Sequence, residues 1–185
     1  ITVDGDMSTN DSVFLLANGL AENKLIEESN EEDFNKFVEK LTIVCTELAK
    51  LIVRDGEGAT KFVQIKVENA GDYDLAKKIA LKIANSCLVK TALFGCDHNW
   101  GRIISSVGSI ENNFDANKVQ LFLNNVLIFE NGQEADFDLE KVKKIMRQKE
   151  INITVNMNIA DSETAVIWTS DLSYDYVKIN AEYST

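Results

Sequence analysis

Residues 55–67 read DGEGATKFVQIKV, an acidic turn that leads directly into an alternating apolar segment. Val63, Ile65 and Val67 alternate with polar residues, which predicts a strand with one buried face. Glu57 lies between two glycines, and glycine lets the backbone take a positive φ or approach a ligand closely. The turn therefore either holds Glu57 at the rim of a sheet, where substrate contacts are common, or is an ordinary tight turn with a solvated glutamate.

The apolar pattern outside this turn switches between helical and strand periodicity. Helical spacing and capping residues predict helices over 13–19, 31–53, 72–87, 99–107 and 139–146. Alternation or short apolar runs predict strands over 62–67, 88–94, 119–123, 126–128, 151–159, 164–168 and 176–179. Turns at 124–125 and 131–132 predict hairpins late in the chain. This order of elements predicts an α+β fold, a layered α/β sandwich with mixed and antiparallel sheets, rather than a doubly wound parallel sheet.

Length and charge restrict the class of protein. The chain has 185 residues, which suits one domain over 1–185 or a subdivision into 1–110 and 111–185. Its formal net charge of −11 makes nucleic acid and anionic membranes poor partners, because both are negatively charged. The sequence has no apolar run of about 18 residues that would predict a membrane-spanning helix. The first residues also lack the pattern of a signal peptide.

The residue types that most often carry catalysis or bind metals are scarce. Cys45 and Cys87 lie in apolar helical runs or beside them, and we expect both to be buried thiols in a reducing compartment. A zinc site is not expected, because three scattered cysteines and one histidine supply too few ligands. That histidine, His98, precedes a predicted helix and is expected to be a surface residue rather than the base of a triad. The glycines match no nucleotide-binding motif.

Two polar segments allow more than one interpretation. Residues 4–11, DGDMSTND, are either the cap of the predicted helix 13–19 or a set of donors that face an anionic ligand. Residues 176–185, YVKINAEYST, combine a predicted strand with a polar tail. Chain ends usually fray, so aromatic and β-branched residues this near the end indicate an anchored tail.

Several stretches together resemble one enzyme family. They are ITVDGD with STND (1–6 and 8–11), DGEGATK (55–61), LVKTA with NWGR (88–92 and 99–102), and DL with YVKINAEY (171–172 and 176–183). In this order and spacing, the whole chain is similar to the β chain of ornithine acetyltransferase, also called glutamate N-acetyltransferase, an enzyme of arginine biosynthesis.

The resemblance implies a self-processing fold of the N-terminal-nucleophile type. Family members are precursors that cleave themselves before a threonine, which becomes the first residue of the β chain and the nucleophile. Its hydroxyl takes the acetyl group from N-acetylornithine and passes it to glutamate, and an oxyanion hole on the α chain stabilises the intermediate. The α chain is the expected partner, in an α2β2 heterotetramer without a cofactor. Acetyl-CoA is a co-substrate of some members, and the location is the cytoplasm, or the mitochondrial matrix in eukaryotes.

The resemblance also assigns site residues. Glu57, Asn180 and Thr185 match the substrate contacts that the family places on its β chain, and a carboxylate at Glu57 can pair with the ammonium group of an amino-acid substrate. No catalytic residue is expected within these 185 residues, since Thr2 and Thr9 do not match the nucleophile, which the family places upstream of the segment that matches residue 1. Met7, His98 and Ser184 stand where the family usually has Thr, Pro and Arg.

Two other functions stay open. Related self-processing folds include amidohydrolases and aminopeptidases, and sequence seldom decides whether the acceptor is water or an amine. A chain without its nucleophile could also be a catalytically inert assembly partner. In the acetyltransferase interpretation, the isolated β chain should expose apolar surface where the α chain packs.

Overall fold

The computed structural model describes residues 1–8, 10–110, 114–161 and 163–182, and its centre is one six-stranded sheet. The strands are β1 (Phe62–Ala70), β2 (Gln120–Leu123), β3 (Val126–Glu130), β4 (Gln133–Glu134), β5 (Glu150–Ala160) and β6 (Ala165–Ser170). They lie in the order β4-β3-β2-β5-β1-β6. The helices are α1 (Glu31–Arg54), α2 (Tyr73–Ala84), α3 (Cys87–Phe94), α4 (Trp100–Gly108), α5 (Leu139–Met146) and α6 (Tyr174–Glu182).

The sheet is mixed, as the sequence predicts. β1 and β5 run parallel, with Val63 opposite Ile151 and Ile65 opposite Ile153. β6 pairs with the other side of β1 in the antiparallel sense, and β2, β3 and β4 continue antiparallel from β5. With helices packed on this sheet, the predicted α+β layered fold is confirmed.

Alternation places the core on one face of the sheet. The inward positions of β1 and β5 are fully covered, and α2 packs on this face with Ala76, Ile79, Ala80 and Ile83 buried. On β6, Ile167 and Thr169 belong to the covered face, whereas Trp168 points to the opposite face, where the Lys50 ammonium of α1 lies 5.0 Å from its ring centroid. Helices therefore lie on both sides of the sheet.

The two predicted hairpin turns are confirmed. Asn124 and Asn125 have φ of 42° and 66°, and Asn131 and Gly132 have φ of 52° and 74°. Both central residues of each turn are thus left-handed, which is the geometry that a tight hairpin requires and that Asn and Gly tolerate best. The predicted subdivision into 1–110 and 111–185 stays a prediction, and residues 111–113 lie outside the described residues. In the sheet, β1 from the first part lies between β5 and β6 from the second part.

The predicted helix over 13–19 is wrong. This segment has no regular structure, and its large apolar side chains are exposed, with Phe14 at 83% and Leu16 at 93%. A short helix is stable only if its apolar face packs against something, and within the described chain this segment has little to pack against. Both interpretations of residues 4–11 required that helix, so neither holds for the described residues 4–8 and 10–11, while Thr9 lies outside the described residues.

The predicted strand over 88–94 is also wrong, because these residues form α3. The Ser86 hydroxyl accepts a hydrogen bond from the Val89 backbone N–H and caps the helix. Val89, Lys90, Ala92 and Leu93 are all buried. A short apolar run that is buried on several sides does not reveal its period, so sequence cannot separate the two structures.

The predicted strand over 176–179 is a third error, because the chain forms α6 there. Ser173 starts this helix by accepting a hydrogen bond from the Tyr176 backbone N–H at 3.2 Å. The β-branched and aromatic residues of this stretch favour a strand only weakly, and tertiary context overrides such preferences. The prediction for the thiols was likewise wrong: Cys45 and Cys87 are exposed, and Cys96 is half-buried.

Candidate functional site

Two of the three substrate-contact residues assigned by resemblance lie in direct contact. The Asn180 side-chain Nδ2 donates a hydrogen bond of 2.6 Å to Oε2 of Glu57, across 123 positions of sequence. Asn180 lies on α6 and Glu57 on the turn before β1, and both are exposed to solvent. Thr185, the third residue, lies outside the described residues. The contact places a carboxylate and an amide where a ligand can reach both.

A buried carboxylate holds the turn that carries Glu57. Asp171, at 3% exposure, accepts hydrogen bonds from the backbone N–H groups of Thr60 at 2.8 Å and Lys61 at 2.9 Å. Its other oxygen accepts from the Thr60 hydroxyl. A carboxylate that accepts several donors is a strong anchor, so the end of β6 fixes the start of β1.

The middle of the turn is pressed against the beginning of α6. The Ser173 hydroxyl donates a 2.6 Å hydrogen bond to the carbonyl oxygen of Gly58. Gly58 has φ of +63°, and a Cβ at this position would lie only 2.5 Å from the backbone nitrogen of Tyr176. Only glycine fits both the backbone angle and the space, and this explains why position 58 of the motif is a glycine.

Tyr176 connects the N-terminal segment to the same site. Its hydroxyl donates a 2.9 Å hydrogen bond to Oδ2 of Asp4. Burial and this hydrogen bond raise the pKa of Tyr176 to about 12, and the carboxylates of Asp6 and Glu57 act in the same direction. The hydroxyl therefore stays protonated at neutral pH, and the three nearby carboxylates create a negative potential that attracts cationic groups.

Lys90 supports the strand end behind the site. Its ammonium, at 2% exposure, donates to the hydroxyl of Thr169 at 3.0 Å and to the carbonyl oxygen of Ser170 at 2.5 Å. Burial lowers the pKa of Lys90 to about 8, although the Asp171 carboxylate acts in the opposite direction. Lys90 thus ties α3 to the segment that carries Asp171.

Sequence reasoning did not identify Asp171, Ser173 or Lys90 as parts of this arrangement. One signal was present: Lys90 is a single charge within the apolar run LVKTALF, and a charged residue in such a run is buried only with partners. Ser173 carries the local signal of a helix N-cap, since its hydroxyl accepts from the backbone N–H three residues later, but the prediction of a strand over 176–179 passed over it. Asp171 lies in a stretch that carries the family resemblance, but its hydrogen-bond partners lie more than a hundred positions away.

His98 is not part of this site. Its ring makes an edge contact with Phe137, at 5.7 Å between ring centroids. The described residues contain no group of three or more His, Cys, Asp or Glu side chains that could hold a metal ion. None of the helices in the described part of the chain has the length and apolar character needed to cross a bilayer.

An open, mostly apolar groove is lined by neither Glu57 nor Asn180, although Arg54 and Asp55, just before Glu57, contribute to it. It has a volume of about 880 Å³ and is formed by residues 1 and 12–14 together with the last turns of α1, among them Leu48 and Ile52. Because its lining is mostly apolar and includes neither Glu57 nor Asn180, it suits packing by another protein segment better than the chemistry of a charged amino acid. This exposed apolar surface agrees with the expectation for an isolated β chain.

The comparisons with known proteins give a consistent result. The model of the ArgJ family matches residues 1–185. A protein of Geobacter sulfurreducens and one of Caldanaerobacter subterraneus subsp. tengcongensis, both named arginine biosynthesis bifunctional protein ArgJ, are each 48% identical over the whole chain. The chain spans 47% and 46% of their lengths, so it corresponds to just under half of such a protein.

A solved structure gives the same match in three dimensions. The crystal structure of the arginine biosynthesis bifunctional protein argJ from Bacillus halodurans superimposes with a TM-score of 0.89 at 38% identity. The match covers 98% of this chain and 85% of the crystallised one. At that identity the likeness extends beyond the fold to the sequence.

Proposed function

The chain belongs to the ArgJ family, and on that premise we propose that it supplies substrate contacts to a glutamate N-acetyltransferase of arginine biosynthesis. The complete enzyme transfers the acetyl group of N-acetylornithine to glutamate, releasing ornithine and forming N-acetylglutamate. The acetyl group rests in between on a threonine hydroxyl that lies outside these 185 residues. Acetyl-CoA is an alternative acetyl donor in this proposal, and the reaction takes place in the cytoplasm.

The observation that carries the proposal is the hydrogen bond between Asn180 and Glu57. The resemblance assigned these residues to substrate binding from separate parts of the chain, and they lie 2.6 Å apart. Two residues 123 positions apart meet in this way only if the fold brings both segments to one place.

The charge of the site suits the proposed substrates. N-acetylornithine carries an ammonium group at the end of its side chain, and glutamate carries one at its α-carbon. Glu57 offers an acceptor oxygen for such a group, and an ammonium–carboxylate hydrogen bond is stronger than a neutral one. The Asn180 amide orients the carboxylate through its 2.6 Å hydrogen bond, and Asp4 and Asp6 add to the negative potential around Tyr176.

The other part of the precursor, the α chain, is the proposed partner. The chain spans under half of its relatives' length, and the open groove and α1 expose a continuous set of apolar side chains. Apolar patches of this kind usually mark a protein interface. In the proposed assembly, two α and two β chains form the enzyme, and the α chain contributes the oxyanion hole.

The decisive experiment is steady-state kinetics of the complete enzyme with Glu57→Gln. Glutamine has nearly the same shape but no charge, so the KM for N-acetylornithine should rise by about 10- to 100-fold, the equivalent of about 1.5–3 kcal/mol for a charge-assisted hydrogen bond. The matched control is Glu140→Gln, which removes a carboxylate from an exposed ion pair with Lys143 on α5 and should leave both kcat and KM unchanged.

Two results would contradict the proposal. Wild-type kinetics in Glu57→Gln would remove this residue from the substrate site. Release of acetate without formation of N-acetylglutamate, measured in the unaltered enzyme, would instead identify a hydrolase.

A further inference from the structure

We propose that Ser173 is a positioning residue, which sets the affinity for the substrate by holding Glu57 against Asn180 without touching the substrate itself. This inference rests on the proposed function, since it assigns Glu57 and Asn180 to substrate binding. Ser173 was not among the residues that the sequence singled out.

The hydroxyl of Ser173 makes two contacts that join separate segments. It donates a hydrogen bond of 2.6 Å to the carbonyl oxygen of Gly58, the residue after Glu57. It also accepts a hydrogen bond of 3.2 Å from the backbone N–H of Tyr176 in the first turn of α6. One oxygen atom thus couples the acidic turn to the helix that carries Asn180.

These contacts close a ring of hydrogen bonds. From Tyr176, the ring continues through its backbone carbonyl, which accepts 3.0 Å from Nδ2 of Asn180. The same Nδ2 then donates 2.6 Å to Glu57, and Glu57 is covalently joined to Gly58. Every member restrains the next, so the Ser173 hydroxyl limits the positions in which the Glu57 carboxylate and the Asn180 amide can meet.

The surroundings of Ser173 make the geometry of this ring depend on its hydroxyl oxygen. Ser173 is only 5% exposed, so no substrate reaches it. Gly58 and Tyr176 approach too closely for any side chain between them, so the serine oxygen is the group that fills and bonds this contact. Asp171 holds the far end of the turn at Thr60 and Lys61, and backbone hydrogen bonds of Gly56 with Val53 and Ala59 shape the turn locally. The hydrogen bond from the Ser173 hydroxyl to Gly58 ties the Glu57 end of the turn to the start of α6.

The first test is steady-state kinetics of the complete enzyme with Ser173→Ala. Removal of one buried hydrogen-bonding oxygen should raise the KM for N-acetylornithine by about three- to tenfold and change kcat by less than about twofold. The matched control is Ser106→Ala. Ser106 is similarly buried at 7% exposure, and its hydroxyl donates to the carbonyl of Arg102 within α4, so its KM should stay at the wild-type value.

A double-mutant cycle separates positioning from a general loss of structure. In the background of Asn180→Ala the ring is already open, so adding Ser173→Ala should raise KM much less than it does in the wild type. If the two substitutions multiply their effects on KM, Ser173 acts independently of Asn180 and the inference is overturned. An unchanged KM in Ser173→Ala also overturns it.

A crystal structure of the Ser173→Ala enzyme tests the geometry without any activity. The distance between Glu57 Oε2 and Asn180 Nδ2 should lengthen beyond about 3.5 Å, the range of a hydrogen bond. Retention of the short contact in that crystal overturns the inference even if KM has changed. If the unaltered enzyme forms no N-acetylglutamate, the proposed function fails, and this structural test then judges the role of Ser173 alone.

Discussion

Helices α1 and α2 are both amphipathic, yet only one of them is covered by this chain. α2, of 12 residues, buries Ala76, Ile79, Ala80 and Ile83 completely against the sheet. α1 is twice as long, with 24 residues, but only Val53 is buried. Its apolar side chains stay about half-exposed, for example Val44 at 54% and Leu51 at 56%.

The difference shows that an apolar helical face predicts a packing surface but does not show which segment or chain packs on it. Helical periodicity is equally regular in both helices, because it reflects only the spacing of residues along one segment. The covered side of the molecule comprises α2, the inner face of the sheet, and the buried Asp171 and Ser173 that hold the acidic turn. The open side comprises α1 and residues 12–26. Stability should depend on the first side and assembly on the second.

The largest effects should come from placing a lysine on the covered side and, separately, on the open side. Ile79→Lys buries an ammonium group without a partner, at a cost of several kcal/mol that approaches the total stability of a domain, and should prevent accumulation of folded protein. Ile52→Lys puts the same group at a site that is 54% exposed and should leave the fold intact but weaken association with the rest of the enzyme. Soluble yield, circular dichroism and sedimentation velocity measure these outcomes.

The two variants also test whether α1 serves the fold or the assembly. If Ile52→Lys lowers soluble yield and secondary structure as strongly as Ile79→Lys does, α1 is required by the fold itself. If Ile52→Lys instead assembles normally, the exposed face of α1 is not an interface.

The next largest effect should come from Gly58→Ala on the covered side. The added Cβ meets the Tyr176 backbone nitrogen at 2.5 Å, and φ is +63°. The left-handed angle costs about 1–2 kcal/mol and the displaced neighbours about 1–3 kcal/mol. We expect a lower Tm and a strongly raised KM for N-acetylornithine, measured by calorimetry and kinetics.

Gly108→Ala is the control for this substitution. Gly108 ends α4, has no atom within 4 Å of an added Cβ and no left-handed angle, so alanine should be neutral or slightly stabilising. Equal Tm changes in the two variants would mean that the turn yields easily and does not hold α6.

A smaller, pH-dependent effect is expected from Lys90. Its pKa is lowered by burial from 10.5 to about 8, so between these pH values the unfolded chain binds more protons than the folded chain. Stability should therefore rise with pH across this window, by up to about 1.4 kcal/mol per pH unit. Below the window the cost of the buried charge is fully present.

Lys90→Met removes the titrating group and supplies the reference. The Tm of the assembled wild-type protein minus that of Lys90→Met should increase from pH 8 to pH 10. A difference that stays constant would show that Lys90 keeps its ordinary pKa in the folded protein.

The smallest effect is expected from Tyr176→Phe. This change removes the hydrogen bond to Asp4 and should lower stability by about 0.5–1.5 kcal/mol. Tyr174→Phe is the control, because Tyr174 is 83% exposed and its contact with Phe94 is made by the ring. Thermal unfolding of the two variants should show a Tm decrease only for Tyr176→Phe. Equal Tm values in the two variants would mean that Asp4 does not hold α6.

Much of the fold could be predicted because the signals are local. The alternation in β1 and β5, the helical spacing in α1 and α2, and the turns at Asn124-Asn125 and at 131–132 each depend on neighbouring residues only. All are confirmed, except that the helix predicted over 72–87 ends at Ala84. The same holds for α5, predicted over 139–146. The sequence resemblance also identified the family, whereas the substrate-binding roles that it assigns to Glu57 and Asn180 stay predictions.

The errors lie where burial by distant segments decides the outcome. Residues 88–94 form a helix because several sides of it are covered, and residues 174–182 form a helix that begins at the Ser173 hydroxyl and packs on Gly58. Residues 13–19 form no helix, because within the described chain their apolar side chains stay exposed. The role of Thr185 stays a prediction.

Local patterns along the chain were enough to predict the period of the long elements, the hairpin turns and the family. These follow from chirality, side-chain spacing and motif order, which are properties of one segment at a time. The contact of the Glu57 turn with Asn180, and the hydrogen bonds with Ser173 and Asp171 that hold the turn there, are visible only in the folded chain. Contacts across more than a hundred residues arise from the packing of the whole sheet, which no single segment encodes.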